Sequence, residues 1–201
     1  QEKASGEVNI TSEVQGRSLN LSSPLNLDNK KLALADIKGN LAENKLTGNI
    51  EMDTERGELT KGFITLDVAS LGVVKEFAPD IDMSGSGKIT AQIAPDLNLN
   101  GIFKSITYMG ETFAEASFTA VEKENVPQVD FKIISASQKK FKLTGKVFVP
   151  DTDNLHVTLK DIRATTGAGY LTLNGDVTEP EMSLELSAKS FDMTQVPFVG
   201  L

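Results

Sequence analysis

Polar and apolar residues alternate along most of this chain. Ile89, Ala91 and Ile93 alternate with Lys88, Thr90 and Gln92. Ala114, Ala116, Phe118 and Ala120 alternate with Glu115, Ser117 and Thr119, and Val129, Phe131 and Ile133 follow. Phe141, Leu143, Gly145, Val147 and Val149 keep one phase; Lys140, Lys142, Thr144 and Lys146 keep the other. The same holds for Leu155, Val157 and Leu159, for Leu171, Leu173, Gly175 and Val177, and for Met182, Leu184, Leu186 and Ala188. A period of two places each set on one face of a strand. These are half-buried antiparallel strands, with one apolar and one wet face. The earlier part of the chain repeats the habit at 8–14, 19–27, 32–41, 46–52 and 64–68. The reading is roughly a dozen strands in meander order.

Glycine recurs in a fixed slot of this pattern. Leu-Thr-Gly-Asn-Ile at 46–50, Leu-Thr-Gly-Lys-Val at 143–147 and Leu-Asn-Gly-Asp-Val at 173–177 are the clearest copies. Looser ones lie at 37–41 and 99–103. The period puts Gly48, Gly145 and Gly175 on the apolar face, leaving a slot without a side chain. Such a glycine marks a bulge, a bend or a close backbone approach. The expectation is that these three glycines shape a curved sheet.

Turn signals separate the strands: Ser23-Pro24, the stretches 53–57 and 150–154, and Glu179-Pro180. One stretch, 69–78, breaks the alternation. Ser70 is placed to cap a short helix near 70–78 that presents Leu71 and Val74 and stops before Pro79. A similar start appears at Asp192. Asp67 and Asp192 both follow a strand and precede these segments. This suggests a long repeat, with units at 1–66 and 67–191 and a new one entered at 192, within a single elongated segment spanning 1–201.

Composition narrows the partners. The chain has 201 residues, is 39% hydrophobic and 24% charged, and carries a net charge of −8. An acidic surface disfavours nucleic acid and docking on anionic head groups. Any lipid contact must then run through apolar side chains. No cysteine is present, so thiolate chemistry and disulfides are excluded. No apolar run approaches the ~20 residues of a membrane-spanning helix. Beginning at Gln1 without an initiator Met, the chain reads as a mature segment or as a piece cut from something larger, whose remainder could carry a membrane anchor.

Catalytic motifs fail one by one. The Ser-Gly-Ser-Gly-Lys at 84–88 lacks the spacing of a phosphate-binding loop, since Asp82 and Ile89 stand where Gly and Ser or Thr are required. His156, the lone histidine, sits on the polar phase of a strand and reads as solvated. Asp151, Asp153 and Asn154 read as turn residues, without the Gly and closing Glu of a calcium loop. Asp28, Asp36, Glu43, Glu51 and Asp53 read as a solvated face. A non-enzymatic protein without metal or cofactor is expected.

The apolar faces allow two architectures. They close on each other in a β-sandwich, or they line an open groove that a ligand occupies. Aromatics are only 6% and Trp is absent, which favours a smooth channel over an aromatic core and disfavours an outer-membrane barrel with its aromatic girdles.

Three stretches resemble one family. Leu32-Ala-Leu-Ala-Asp-Ile-Lys-Gly-Asn-Leu-Ala-Glu-Asn-Lys-Leu-Thr-Gly-Asn-Ile-Glu-Met52 is similar to the apolar strand, Asp-Ile-x-Gly and Leu-x-Gly-x-Ile hairpin of the AsmA-like superfamily (the AsmA and TamB type) of Gram-negative bacteria. The stretch 64–74, Pro79 and Met83-Ser-Gly-Ser-Gly-Lys-Ile89 resembles its strand, short helix, Pro and Ser-Gly strand restart. The stretch 169–177 with Pro180 and 182–188 fits as well. Together these cover most of 30–201.

The resemblance implies a mostly β fold: an elongated, folded-over antiparallel sheet with an open, taco-like apolar groove and one short helix. It implies an internal or C-proximal piece of a periplasmic bridge protein, anchored in the inner membrane, that moves phospholipid between the membranes or serves outer-membrane assembly. The expected wall is Ile89, Ile93, Phe131, Ile133, Leu143, Val147, Val157, Leu171, Leu173, Leu184 and Leu186. The expected partners are phospholipid or another acyl-chain lipid, neighbouring repeats of the parent, and an outer-membrane protein. The alternative is a β-sandwich that is structural or binds protein at an edge strand.

Overall fold

The computed structural model describes residues 3–14, 17–41, 43–78, 80–136, 140–151, 156–178 and 181–197. Its strands are β1 (Lys3–Val14), β2 (Arg17–Asp28), β3 (Lys31–Leu41), β4 (Asn44–Asp53), β5 (Glu58–Val68), β6 (Met83–Ala94) and β7 (Asn98–Tyr108). They continue with β8 (Glu111–Lys123), β9 (Val126–Ser135), β10 (Phe141–Asp151), β11 (His156–Thr166), β12 (Gly169–Val177) and β13 (Met182–Lys189). All thirteen belong to one sheet whose order is the sequence order, and every pairing is antiparallel. β1 and β13 do not pair, so the sheet is open rather than a barrel. The meander follows from tight turns. Met109-Gly110 and Glu124-Asn125 each have positive φ at both positions, the turn geometry whose twist matches that of paired strands.

Among the bulges that interrupt the strands, three share a sequence pattern. Leu34-Ala-Asp-Ile37, Phe103-Lys-Ser-Ile106 and Leu159-Lys-Asp-Ile162 each place a polar residue at positive φ: Asp36 at 56°, Ser105 at 51° and Asp161 at 53°. The pairing register shifts at each site. One extra residue inverts the alternation, so the isoleucine joins the apolar face at i+3 instead of falling on the wet one. Polar side chains satisfy the displaced backbone. The Asp161 N–H donates to Asn174 Oδ1 at 2.7 Å, and Ser23 Oγ donates to the Ala35 carbonyl at 3.2 Å.

Several sequence expectations change here. Ser23-Pro24 is not a turn; both residues lie inside β2, opposite the Asp36 bulge, where Leu25 resumes pairing with Leu34. A bulge is one of the places a strand tolerates a proline without an N–H. Pro150 and Asp151 likewise end β10, while Asp153, Asn154, Leu155, Pro79, Glu179 and Pro180 lie outside the described residues. Ala114 leaves the apolar phase and is exposed, because an extra residue on β8 puts Phe113 opposite Ser135. Phe113 is buried in its place. The helix near 70–78 is a 3-10 turn at Leu71–Val73 followed by α1 (Val74–Phe77). Ser70 caps it as expected, accepting from the Gly72 N–H at 3.1 Å. Asp67 is not its counterpart of Asp192: Asp67 lies within β5, paired with Lys45 and Lys88. Ser70 holds the equivalent place, since Asp192 caps a second 3-10 turn at Met193–Gln195 through the Thr194 N–H.

Fully buried hydrophobic residues are few. Val68, Leu71, Ile106 and Phe113 form the one core cluster among the described residues, beneath the crossing segment after β5. Among the described residues no second sheet covers the first. The accessible surface is 12748 Å², whereas a compact monomer of 21.6 kDa exposes about 9,200 Å². The closed sandwich is therefore not the fold.

Candidate functional site

Directly paired residues in neighbouring strands point to the same face, so the register traces rows across the sheet. One row crosses all thirteen strands: Ile10, Leu21, Gly39, Leu46, Leu66, Ile89, Gly101, Phe118, Phe131, Gly145, Ile162, Leu173 and Leu186. It contains no polar side chain. With twelve interstrand steps of ~4.8 Å, it runs ~58 Å at right angles to the strands.

A second row runs Gly48, Ile64, Ala91, Leu99, Ala120, Val129, Val147, Leu159, Gly175 and Leu184. A third runs Val68, Gly87, Phe103, Ala116, Ile133, Leu143, Ala164, Leu171 and Ala188. Ile93 and Val157 extend the same face beyond the second row. All eleven residues expected in the wall thus share one face. None is fully buried: nine are half-buried, while Leu184 and Leu186 on β13 are 41% and 63% exposed.

The glycine slots are not vacant. A Cβ at Gly101 would stand 2.2 Å from the Phe118 ring, and one at Gly145 would stand 2.2 Å from Ile162 Cδ1. The neighbouring side chain fills each slot, which levels the row. Gly48 and Gly175 differ. A Cβ at Gly48 would lie 2.5 Å from the Phe63 carbonyl oxygen, and one at Gly175 would lie 2.0 Å from that of Ser183. Gly175 also has φ of +143°. Backbone itself approaches there.

The bulge isoleucines belong to this face; Ile37 was already an apolar position of the 37–41 copy, whereas Ile106 and Ile162 were missed by strict alternation. Ile37 is paired with Gly48, Ile106 lies over Gly85, and Ile162 lies over Gly145. The signal was present in the recurring four-residue pattern, apolar, any, Asp or Ser, Ile. It requires an i+3 step between apolar residues that a period of two does not search for.

The opposite face is built of charge pairs. Lys132 Nζ meets Glu115 Oε1 at 2.8 Å, Lys88 meets Asp67 at 3.6 Å and Lys146 meets Asp130 at 3.9 Å. The Lys132 hydrogen bond holds the Glu115 carboxyl below its ordinary range. The Thr158 hydroxyl, and after it His156, does the same for Asp176. His156 Nε2 lies 3.2 Å from Asp176 Oδ1, so the histidine is engaged in a cross-strand pair instead of standing alone in solvent. Thr194 lowers Asp192 through its hydroxyl and its N–H. Among the described residues no group of His, Asp or Glu is arranged to hold a metal. The chemistry available is therefore apolar on one face and ion pairing on the other.

No family model, no curated protein and no solved structure matches this chain. Among the described residues no helix is long and apolar enough to cross a membrane.

Proposed function

We propose that the apolar face is a trough for the hydrocarbon tails of phospholipid. The parent, in this reading, is an AsmA-like bridge protein of the Gram-negative periplasm, anchored in the inner membrane, that carries lipid to the outer membrane in envelope biogenesis. The observation that carries the proposal is the unbroken row from Ile10 to Leu186, open to solvent and running from one edge of the sheet to the other. Exposing so large a contiguous apolar patch is costly for a soluble chain. Covering it with an acyl chain is favourable by ~0.8 kcal/mol per methylene. At ~58 Å the row is several times the ~15 Å depth of one leaflet's hydrocarbon, so a tail can shift along it without meeting a polar barrier. The net charge of −8 gives no attraction for an anionic head group, which leaves the tail as the part recognised.

A second reading has its own observation. β13 is an edge strand with Met182 68% and Leu186 63% exposed, and such an edge accepts an added strand from a protein partner. This would suit a neighbouring repeat or an outer-membrane protein undergoing assembly.

The test is lipid extraction and mass spectrometry on protein purified without detergent. Phospholipid in near-stoichiometric amount is expected. Protein that is monodisperse and repeatedly free of lipid would remove the trough reading and leave the edge-strand one.

A further inference from the structure

Among the described residues, the trough is deepest beside the turn after β5. Leu71, on the 3-10 turn after β5, packs onto the apolar face and walls one side of an open recess of about 520 Å³ lined also by Met83, Phe103, Ile106, Tyr108, Phe113 and Ile133. Its walls expose no polar atom to the interior. Leu71, Ile106 and Phe113 are buried, whereas the expected wall residues elsewhere on the face are half-buried or exposed. Two hydrogen bonds hold the turn. The Ala69 N–H donates to Asn44 Oδ1 at 2.9 Å, and the Gly72 N–H donates to Ser70 Oγ at 3.1 Å. The recess is continuous with the trough, because Phe103 and Ile133 belong to the row that leads through Leu143 and Ala164 to Leu171.

We propose that this recess is a seat for the methyl end of a single acyl chain, where a tail rests between movements along the open face. The inference rests on the lipid reading and specifies a site within it. Three features select the ligand. Tyr108 turns no polar atom into the recess, so a hydroxyl, amide or charge entering it finds no partner on the walls and a polar end is disfavoured. The volume falls in the range of sites that enclose a small ligand. Contact on several sides adds dispersion attraction that the open rows do not supply. A tail therefore pauses here and passes elsewhere. Of the recess residues Phe103, Ala116 and Ile133 were on the apolar phase of the sequence pattern. Ile106 reaches it through the Ser105 bulge, Phe113 through the displaced register of β8 and Leu71 from the crossing turn.

Two photoreactive fatty acids test this on the purified chain, one with a diazirine at the methyl end and one with it beside the carboxylate. Adducts are mapped by mass spectrometry. The methyl-end probe is expected to label Leu71, Met83 and Phe113. The carboxyl-end probe is expected to label the open rows and spare the recess. Ala116→Phe should lower methyl-end labelling about tenfold, the effect of expelling roughly two methylenes, whereas Ala120→Phe, two rows away on the open face, should not. The mapping on the unaltered chain stands even if Ala116→Phe fails to fold. Equal labelling of the recess by both probes, or labelling of the open face alone, overturns the seat and leaves the trough. No labelling on either overturns both.

Discussion

Ile162 Cδ1 occupies the space in which a side chain at Gly145 would begin, 2.2 Å from where its Cβ would stand. The bulge at Asp161 turns Ile162 onto the apolar face, and the glycine across from it makes room. Ile37 is likewise paired with Gly48 and the Ile106 backbone lies against Gly85, but there backbone, from Phe63 at Gly48 and from 104–106 at Gly85, takes the space instead of the isoleucine side chain. Bend and glycine thus belong together: each bulge sharpens the local twist of the sheet, and each glycine lets the displaced strand lie close.

Glycine substitutions should then rank by what fills the slot. Gly145→Leu must displace Ile162 and the Phe131 ring, an overpacking that costs ~1–3 kcal/mol. Gly175→Leu should cost more, because φ of +143° and the Ser183 carbonyl at 2.0 Å offer nothing that can move cheaply. Gly57→Leu, at φ of +67° in open space, should lose only about 1 kcal/mol of backbone strain. Urea denaturation gives the order directly. Equal losses at all three would mean that the glycine slots do not shape the sheet.

Arginine on the open rows separates an uncovered face from a core. Leu143 and Leu173 are half-buried, and an arginine there can lie along the face with its head in water. Leu143→Arg and Leu173→Arg should keep a cooperative β fold, at a cost of about 1–2 kcal/mol of apolar contact, while bound lipid falls. Circular dichroism with lipid analysis checks both parts. A crosslinker at Leu143 should capture lipid and one at Lys142 should not. Asn174 is unsuitable as the polar-face control, because its side chain accepts from Asp161. Outright unfolding of both arginine variants would show a hidden second layer.

Asn44 is a remote anchor of the crossing turn. Asn44→Ala leaves the Ala69 N–H without its partner, an expected loss of ~1–3 kcal/mol. Hydrogen exchange should rise first at 69–74, ahead of β10 to β12. Uniform exchange across the sheet would show that the turn is not held independently.

Acid should weaken the fold over a defined window. Asp53 is lowered by the Arg56 N–H, Glu115 by Lys132, Asp176 by Thr158 and His156, and Asp192 by Thr194. A carboxyl lowered in the folded state contributes in full above its unfolded value, near 4. The contribution is lost as pH falls through the lower, folded value. Melting temperature should be level in this respect above about pH 5 and fall below about pH 4. Asp176→Asn should flatten part of that fall. Added salt should diminish the Glu115 part, which is an ion pair, more than the Asp192 part, which is a cap.

Scattering tests the open sheet itself. A compact chain of 201 residues has a radius of gyration near 16–17 Å by size scaling. Thirteen strands in a single layer, about 58 Å by strand spacing, should give a value clearly above that. A value at the compact figure would mean that the sheet closes on itself in solution.

Local pattern determined the strands, their polar and apolar phases, the capping role of Ser70 and the common face of all eleven expected wall residues. These follow from a period of two that each strand carries within itself, and from hydrogen bonds two residues long. Tertiary structure decided the rest. A bulge exists only against a partner strand, so Ile106 and Ile162 joined the apolar face unforeseen, Phe113 replaced Ala114, and Ser23-Pro24 stayed in a strand. Glycine occupancy likewise depends on which neighbour lies opposite: Phe118 over Gly101, Ile162 over Gly145, bare backbone at Gly175. Whether the apolar face closes or stays open was not in the alternation at all, because a sandwich and a trough require the same phases. The order of thirteen strands in one layer settled it, since an apolar face is covered only when a second layer is there to meet it.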